Sequence, residues 1–354
     1  MTHGKKIRSD IELDRRAREV LNAVIRTYAE RGEPVGSRTV ARVHPEDLSP
    51  ATIRNIMADL EEMGLLKQPH TSAGRIPTDL AYRLYVDSLS GAQPLNSADL
   101  HQMLEAIRGL EGNVDQVLEQ VSHFLSSLSN HIGVALRSSL DQILMKRMEF
   151  IALGNRRVLA LFVSTSGVVS QKMIRLDEDL SWEDLDRVGR YLTDTFGGKN
   201  LQQIREQLLA MMAEEKALYD ELLAQVLSIG RLYFDESAPD SGQVFVDGAF
   251  HLVGLPEFAD AEQMRSLFRA FEEKGRLVKI LNRCLEGAGP IVMIGSEQGD
   301  PEMTATSLVA SPFFFQDRVL GTLGVIGPTR MEYPRIMAMV DHVGRLVSQR
   351  LSGT

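Results

Sequence analysis

At 354 residues the chain is longer than one hydrophobic core usually serves, and a composition of 44% hydrophobic, 25% charged and 6% aromatic residues excludes a disordered or fibrous class. A net charge of -9 argues at face value against a nucleic-acid partner. The acidity, however, lies beyond residue 90: residues 1–90 hold 14 Lys and Arg against 13 Asp and Glu, and the remainder holds 25 against 35.

From Asp14 to Arg31, Ala17, Val20, Leu21, Val24, Ile25 and Tyr28 recur at three- and four-residue steps, which predicts an amphipathic helix that Gly32 ends. Glu33 to Gly36 reads as a turn, with Ser37 as N-cap of a short helix, Arg38 to Val43. After a loop at His44 to Leu48, Ser49 as N-cap and Pro50 in the first helical position open a third helix, which runs to Met63 and stops at Gly64. Leu65 to His70 and Arg75 to Pro77 predict two strands around the tip Thr71-Ser72-Ala73-Gly74, and Thr78 caps a helix through Leu89. Three helices and a hairpin make the order of a winged helix-turn-helix over residues 1–90. The segment SGAQPLNSAD then has the composition of a linker, placed at 91–99.

The remainder reads as mixed α and β. Leu100 to about Leu144 is expected to be helical, followed by strand-like runs at Arg147 to Leu153, Val158 to Val163 and Val168 to Ile174. Residues 182–232 are mainly helical, with Leu201, Ile204, Leu208, Met211, Leu218, Leu222, Val226 and Ile229 in one stripe. Gln243 to Val253 reads as a hairpin turned at Asp247-Gly248. A helix at 261–285, strands at 290–294, 307–315 and 318–326, and a last helix from Pro334 to Leu351 complete the chain.

The third helix places Ile53, Ile56, Met57, Leu60 and Met63 on one face, which must pack on the first two helices. The opposite side presents Ala51, Arg54, Asn55 and Ala58 with Thr52 beside them, a surface suited to the major groove. Small residues allow close approach, Arg takes guanine O6 and N7, and Asn takes adenine N6 and N7. Ser49, Thr52 and the free amides of the first turn suit a phosphate. Arg75, at a glycine-bearing tip, is placed to enter the minor groove or touch phosphate. An ordinary solvated amphipathic helix would show the same pattern in isolation. The short helix before it and the hairpin after it tilt the reading toward DNA.

The runs VLNAVIRTYAERGEPVGSRTVAR, LSPATIRNIMADLEEMGLLKQPHTSAGRIPTDLAYRLYVDSL and SQKMIRL resemble the bacterial heat-inducible transcription repressor family, HrcA; the N-terminal match spans residues 14–90. The resemblance implies an α+β multidomain protein: an N-terminal winged helix-turn-helix, then a GAF-like α/β domain (100–174 and 261–354) interrupted by an inserted α+β dimerisation domain (175–260). It further implies a repressor of chaperone operons that binds the CIRCE inverted-repeat operator on double-stranded DNA as a homodimer, is promoted by the GroEL chaperonin and loses activity on heating. By the same match the DNA-binding set is Ser37, Arg38, Ser49, Ala51, Thr52, Arg54, Asn55, Thr71, Ser72, Gly74 and Arg75. The dimer interface is placed at Leu208, Met211, Met212, Leu218 and Leu222, in line with the need of paired half-sites for two aligned recognition helices.

Other signals read blandly. The single cysteine, Cys284, sits late in an apolar helix and is expected to be a buried structural thiol; it also excludes a disulfide framework and a multi-cysteine zinc site. The eight histidines, among them His101, His123, His131 and His342, show no metal-binding spacing. Gly321, Gly324 and Gly327 lie in and after an apparent strand with no Lys-Ser/Thr behind them, so close packing explains them better than a nucleotide loop. Phe313-Phe314-Phe315 suits a core strand better than a ligand pocket. No catalytic residues, metal or cofactor are expected. A small-ligand sensor with a GAF-like pocket, and an enzyme in the acidic part, remain the alternatives. The polar N-terminus lacks the apolar stretch of a secretory signal, and no run approaches 18 apolar residues. A cytoplasmic, nucleoid location with no membrane partner is expected.

Overall fold

The structure, a computed structural model, describes residues 12–44, 46, 48–70, 73–89, 95–110, 112–138, 144–213, 221–234, 242–285, 289–315 and 318–352. The N-terminal unit begins with helix α1 (Arg15–Arg31), whose first turn is closed by the Asp14 carboxylate accepting from Ala17 N. Its buried stripe, Val20, Leu21, Val24 and Ile25, meets α2 (Ser37–Val43) and α3 (Pro50–Glu62). Gly36 rather than Ser37 is the N-cap of α2, so Ser37 lies inside the helix. Ser49 caps α3 as expected, its hydroxyl accepting from Thr52 N at 3.1 Å with Pro50 at the first helical position. Strands β1 (Leu66–Lys67) and β2 (Ile76–Pro77) form the wing ladder, Leu66 opposite Pro77 and Lys67 opposite Ile76. The ladder is shorter than predicted because Pro69 and Pro77 supply no donors. Helix α4 (Asp79–Ser88) follows its Thr78 cap.

Helices α5 (Ser97–Arg108) and α6 (Val114–Ser129) open the larger unit; α5 starts behind an Asn96 cap, inside the segment predicted as linker. Asn130 in the left-handed region (φ 55°) ends α6, and β3 (Ile132–Arg137) follows where the sequence predicted helix. All six residues of β3 are buried, so no alternation marks it as a strand. It pairs antiparallel with β7 (Gln243–Asp247) on one side and β10 (Arg318–Pro328) on the other. Beyond β10 lie β9 (Thr306–Phe315) and β8 (Ile291–Ile294), giving the order β7-β3-β10-β9-β8. One face of this sheet is covered by α5, α6 and α12 (Tyr333–Ser352). The other packs on α10 (Ala261–Glu272) and α11 (Lys274–Asn282), two helices where the sequence predicted one. Gly321 and Gly324 lie in β10, where a Cβ would meet the Leu136 and Val309 carbonyl oxygens at 2.0 and 2.4 Å, so their role is sheet packing.

Strand pairing divides the chain differently from the sequence expectation. The runs between 147 and 174 do form strands, β4 (Met145–Gly154), β5 (Arg157–Ser164) and β6 (Val169–Arg175). They make a separate antiparallel sheet rather than joining the larger one. Helices α7 (Trp182–Phe196), α8 (Leu201–Ala213) and α9 (Glu221–Phe234) pack with that sheet. Conversely β7, expected as half of a local hairpin, pairs with β3 more than a hundred residues earlier. Gly248 (φ 79°) then leads into a 3-10 turn, Ala249–Leu252, instead of a return strand.

The winged helix is docked on the larger unit through α1 and α4. Arg83 Nε donates to Glu297 Oε1 at 2.8 Å while its NH2 donates to the Val292 carbonyl at 2.7 Å. The Tyr82 and Tyr333 rings lie 5.7 Å apart at 53°. Arg330 pairs with Glu257 and donates to the Ala29 carbonyl near the end of α1 at 3.1 Å. Among the described residues no helix is long and apolar enough to cross a membrane.

Candidate nucleic-acid interface

Helix α3 is anchored by Ile53, Met57 and Leu60, all buried, with Ile56 half-buried. Met63 lies beyond the helix and is exposed, so the apolar face ends a turn earlier than the sequence predicted. Ala51, Thr52, Arg54 and Asn55 are exposed on the free side, and Ala58 is half-buried. Arg54 and Asn55 have no side-chain hydrogen bond or ion pair among the described residues, so both are available to a ligand. The first turn is narrower as an anion site than expected. Thr52 N is taken by Ser49 Oγ and Ile53 N by Ser49 O, and Pro50 has no N–H. The amide of Ala51 is left, with the positive end of the helix dipole behind it. Ser49 Oγ also lies 3.0 Å from Thr52 Oγ1, so the two hydroxyls form one unit at the tip of the helix.

The wing is braced rather than free. Arg75 N–H and C=O exchange hydrogen bonds with Val35, both at 2.9 Å. Its guanidinium grips Glu61 Oε2 on α3 through Nε and NH2, each at 2.8 Å, and is only 18% exposed. The Arg75 side chain thus ties the wing to the recognition helix. Gly74 is fixed by the same junction, since a Cβ there would stand 2.5 Å from the carbonyl carbon and oxygen of Val35. Thr71 and Ser72 lie outside the described residues.

Pairing also explains how a nearly neutral domain presents a basic surface. Glu46 and Glu19 are engaged by Arg15, which holds the Glu46 carboxyl below its usual range, and Glu61 is engaged by Arg75. Arg38 and Arg42 on α2, Arg54 on α3 and Lys67 on β1 are exposed with no acidic partner among the described residues. Ser37 is half-buried beside Arg38. The free acids of α3, Asp59 and Glu62, sit in its last turns, away from the end that would meet phosphate.

Of the stripe named for dimer contacts, the two residues whose side chains are described pack inside the chain. Leu208 is 4% exposed, with its methyls against Gly230 of α9, and Met211 is half-buried against the same core. The side chains of Met212 and Leu222, and all of Leu218, lie outside the described residues. Elsewhere, burial pushes the Cys284 thiol up to about 12, which makes it a core residue with little thiolate character. Phe313 is buried in β9, and no group of metal-binding side chains occurs among the described residues. Sequence reasoning missed Glu61 as the partner of Arg75 and Glu257 as that of Arg330, because neither pairing leaves a local signal.

Two family models match the chain. One, described as "Winged helix-turn-helix transcription repressor, HrcA DNA-binding", covers residues 12–88, and one described as "HrcA protein C terminal domain" covers 115–337. The heat-inducible transcription repressor HrcA of Geobacter sulfurreducens is 41% identical over 342 residues, covering 97% of this chain and 99% of the relative. That of Syntrophobacter fumaroxidans is 39% identical, covering 96% and 98%. A crystal structure described only as that of a hypothetical protein shares the fold, with a TM-score of 0.60 at 23% identity over 97% of this chain and 99% of that one.

Proposed function

The chain belongs to the HrcA family of heat-inducible transcription repressors, and from that membership we propose that it represses chaperone operons by gripping the CIRCE inverted repeat as a homodimer, one α3 in each major groove. It is a transcription repressor with a DNA-binding winged helix, a regulator by its kinship rather than an enzyme. The observation that carries the reading is the exposed pair Arg54 and Asn55, without side-chain partners among the described residues, on a helix whose other face is locked into the core. Arg54 and Asn55 read bases, Ala51 and Thr52 allow close approach, and Ser49, Ser37 and Arg38 hold phosphates. Gly74 and Arg75 set the wing, whose tip at Thr71 and Ser72 reaches the backbone. The cell compartment is the cytoplasm, at the nucleoid.

Without the three-stranded insertion, the strand order of the large sheet is 2-1-5-4-3 with helices on both faces, which supports a GAF-like domain. We place that domain at about 97–138 and 242–352 and the inserted dimerisation domain at about 144–234. Heating inactivates the repressor, and GroEL restores its operator-competent state.

The test is a titration on an inverted repeat and on the same repeat with half a helical turn inserted at its centre. The insertion turns one half-site to the opposite side of the duplex. Affinity falls by more than about tenfold, the effect of losing roughly 1.4 kcal/mol, and recovers in part with a full-turn insertion, which returns both half-sites to one side of the duplex. Equal affinity for all three duplexes contradicts paired binding. Repeating the titration after a heat challenge with and without purified GroEL tests the chaperonin: no difference between the two removes it from the account.

A further inference from the structure

The five-stranded sheet has two edges and treats them differently. The β8 edge is closed by the winged helix: α4 packs on it, and Arg83 NH2 donates to the Val292 carbonyl at 2.7 Å. At the other edge, β7 pairs only with β3 among the described residues, in unbroken register from Gln243 opposite Arg137 to Asp247 opposite Gly133. Every second residue of β7 therefore turns its N–H and C=O away from the sheet. The usual blunting devices are missing from this strand: QVFVD holds no Pro or Lys, and no bulge interrupts its ladder. Beside it runs a groove of about 1280 Å³ between α6 and the end of α10. Alternation along β7 sends Phe245 to the α6 side, beside Phe124, and Val246 to the side of α10 and α11, beside Phe271. Glu119 and Glu272, both exposed, stand on opposite walls, and Asp247 lies at one end in an ion pair with His123 of α6. Against these three carboxylates, Lys274 is the only Lys or Arg among the described residues of the lining.

We propose that this groove binds an extended segment of unfolded polypeptide, which adds to β7 as a sixth strand and weakens the hold on the operator; the second half of the proposal rests on the repressor reading above. A row of free backbone groups is matched by a backbone that carries the same row unpaired. A folded protein rarely exposes one, whereas an unfolded chain offers it along its length. The apolar walls around Phe124, Phe245 and Phe271 take alternate side chains, and the carboxylates select a segment that carries Lys or Arg. β7 also leads directly to the seat of the winged helix. Gly248 (φ 79°), packed against Ser126 of α6, passes the chain into Ala249–Leu252 and on to Glu257. Glu257 is the partner of Arg330, whose guanidinium holds the Ala29 carbonyl of α1. A strand drawn onto β7 shifts that seat, so unfolded protein, the product of heat, loosens the repressor. Occupancy of β7 and operator binding then oppose each other, each weakening the other by the same factor.

Fluorescence anisotropy with the full chain tests this, using a labelled octapeptide that alternates valine with lysine and threonine. The peptide binds, and a peptide of equal charge with proline in place of the valines, which cannot donate to the ladder, binds at least about tenfold more weakly. Reduced, carboxymethylated lysozyme, an unfolded chain, displaces the peptide, and native lysozyme does not. The double variant Glu119→Lys, Glu272→Lys keeps the wild-type thermal unfolding curve and prefers a peptide with glutamate in place of lysine. Saturating valine peptide lowers the operator affinity of wild type at least about fivefold, and the proline peptide leaves it unchanged. Absence of binding, or equal binding of the valine and proline peptides, overturns strand addition. Displacement by native lysozyme overturns the unfolded chain as occupant, and an unchanged charge preference in the double variant overturns this groove. Operator affinity untouched by bound peptide overturns the coupling, whereas a chain that binds no operator even without peptide overturns the repressor reading and leaves the groove standing.

Discussion

Arg330→Ala is expected to destabilise the seating of the winged helix by about 3–5 kcal/mol, the largest loss of any single substitution considered for this chain, because it strands a buried carboxylate. Arg330 and Glu257 are 16% and 14% exposed and pair through Glu257 Oε1, while the buried Glu257 Oε2 has no hydrogen-bond partner among the described residues. The same guanidinium donates to the Ala29 carbonyl, so one side chain joins α1, the segment before α10 and the turn before α12. Nearby, burial and the Arg330 charge hold His131 down to about 4, so a neutral imidazole faces the pair and does not compete for Glu257. Denaturant titration of the variant should show the N-terminal unit melting first, with faster proteolysis between α4 and α5. Arg330→Lys, which keeps the charge and loses the fork, should fall between the two. A denaturation midpoint equal to that of wild type would show that the ion pair does not hold the domain.

Gly74→Val is expected to cost about 3 kcal/mol and to lower DNA affinity about tenfold or more. The atoms a Cβ would strike, the Val35 carbonyl at 2.5 Å and Pro34 C at 2.8 Å, are backbone, and Val35 is held from both sides by its bridge to Arg75. Relief therefore requires the wing to lift from the turn before α2, which also pulls Arg75 from Glu61 and loosens α3. Gly36→Ala, which meets nothing within 4 Å, is the control. Equal stability and affinity in Gly74→Val and its control would mean that the wing junction is not rigid.

Local chemistry made the winged helix readable from sequence. Ser49-Pro50, Thr78 and Gly32 mark helix ends within a few residues of where they act, and Ile53, Met57 and Leu60 show the helical period without outside help. The larger unit was less readable for the same physical reason in several places. A strand buried on both faces, such as β3, has no alternation, and a strand such as β7 is defined by a partner far away in sequence. The assignment of β4–β6 to a separate sheet depends on pairing, which propensity does not encode. Within the site, exposure on α3 followed from period alone. The capture of Arg75 by Glu61 did not, because an arginine beside a turn glycine carries the same sequence signal whether it reaches into a groove or braces a fold.

The measurement that bears most directly on the central claim is a titration of wild type and Arg54→Ala against the inverted repeat and against repeats altered at each half-site base. Arg54 is exposed and has no side-chain partner among the described residues, so its removal is expected to leave the fold intact and take away a base contact. The expected result is a loss of about 1–3 kcal/mol in affinity, with discrimination relaxed at one base pair of each half-site. Wild-type affinity and wild-type discrimination in Arg54→Ala would contradict the assignment of α3 as the helix that reads the operator.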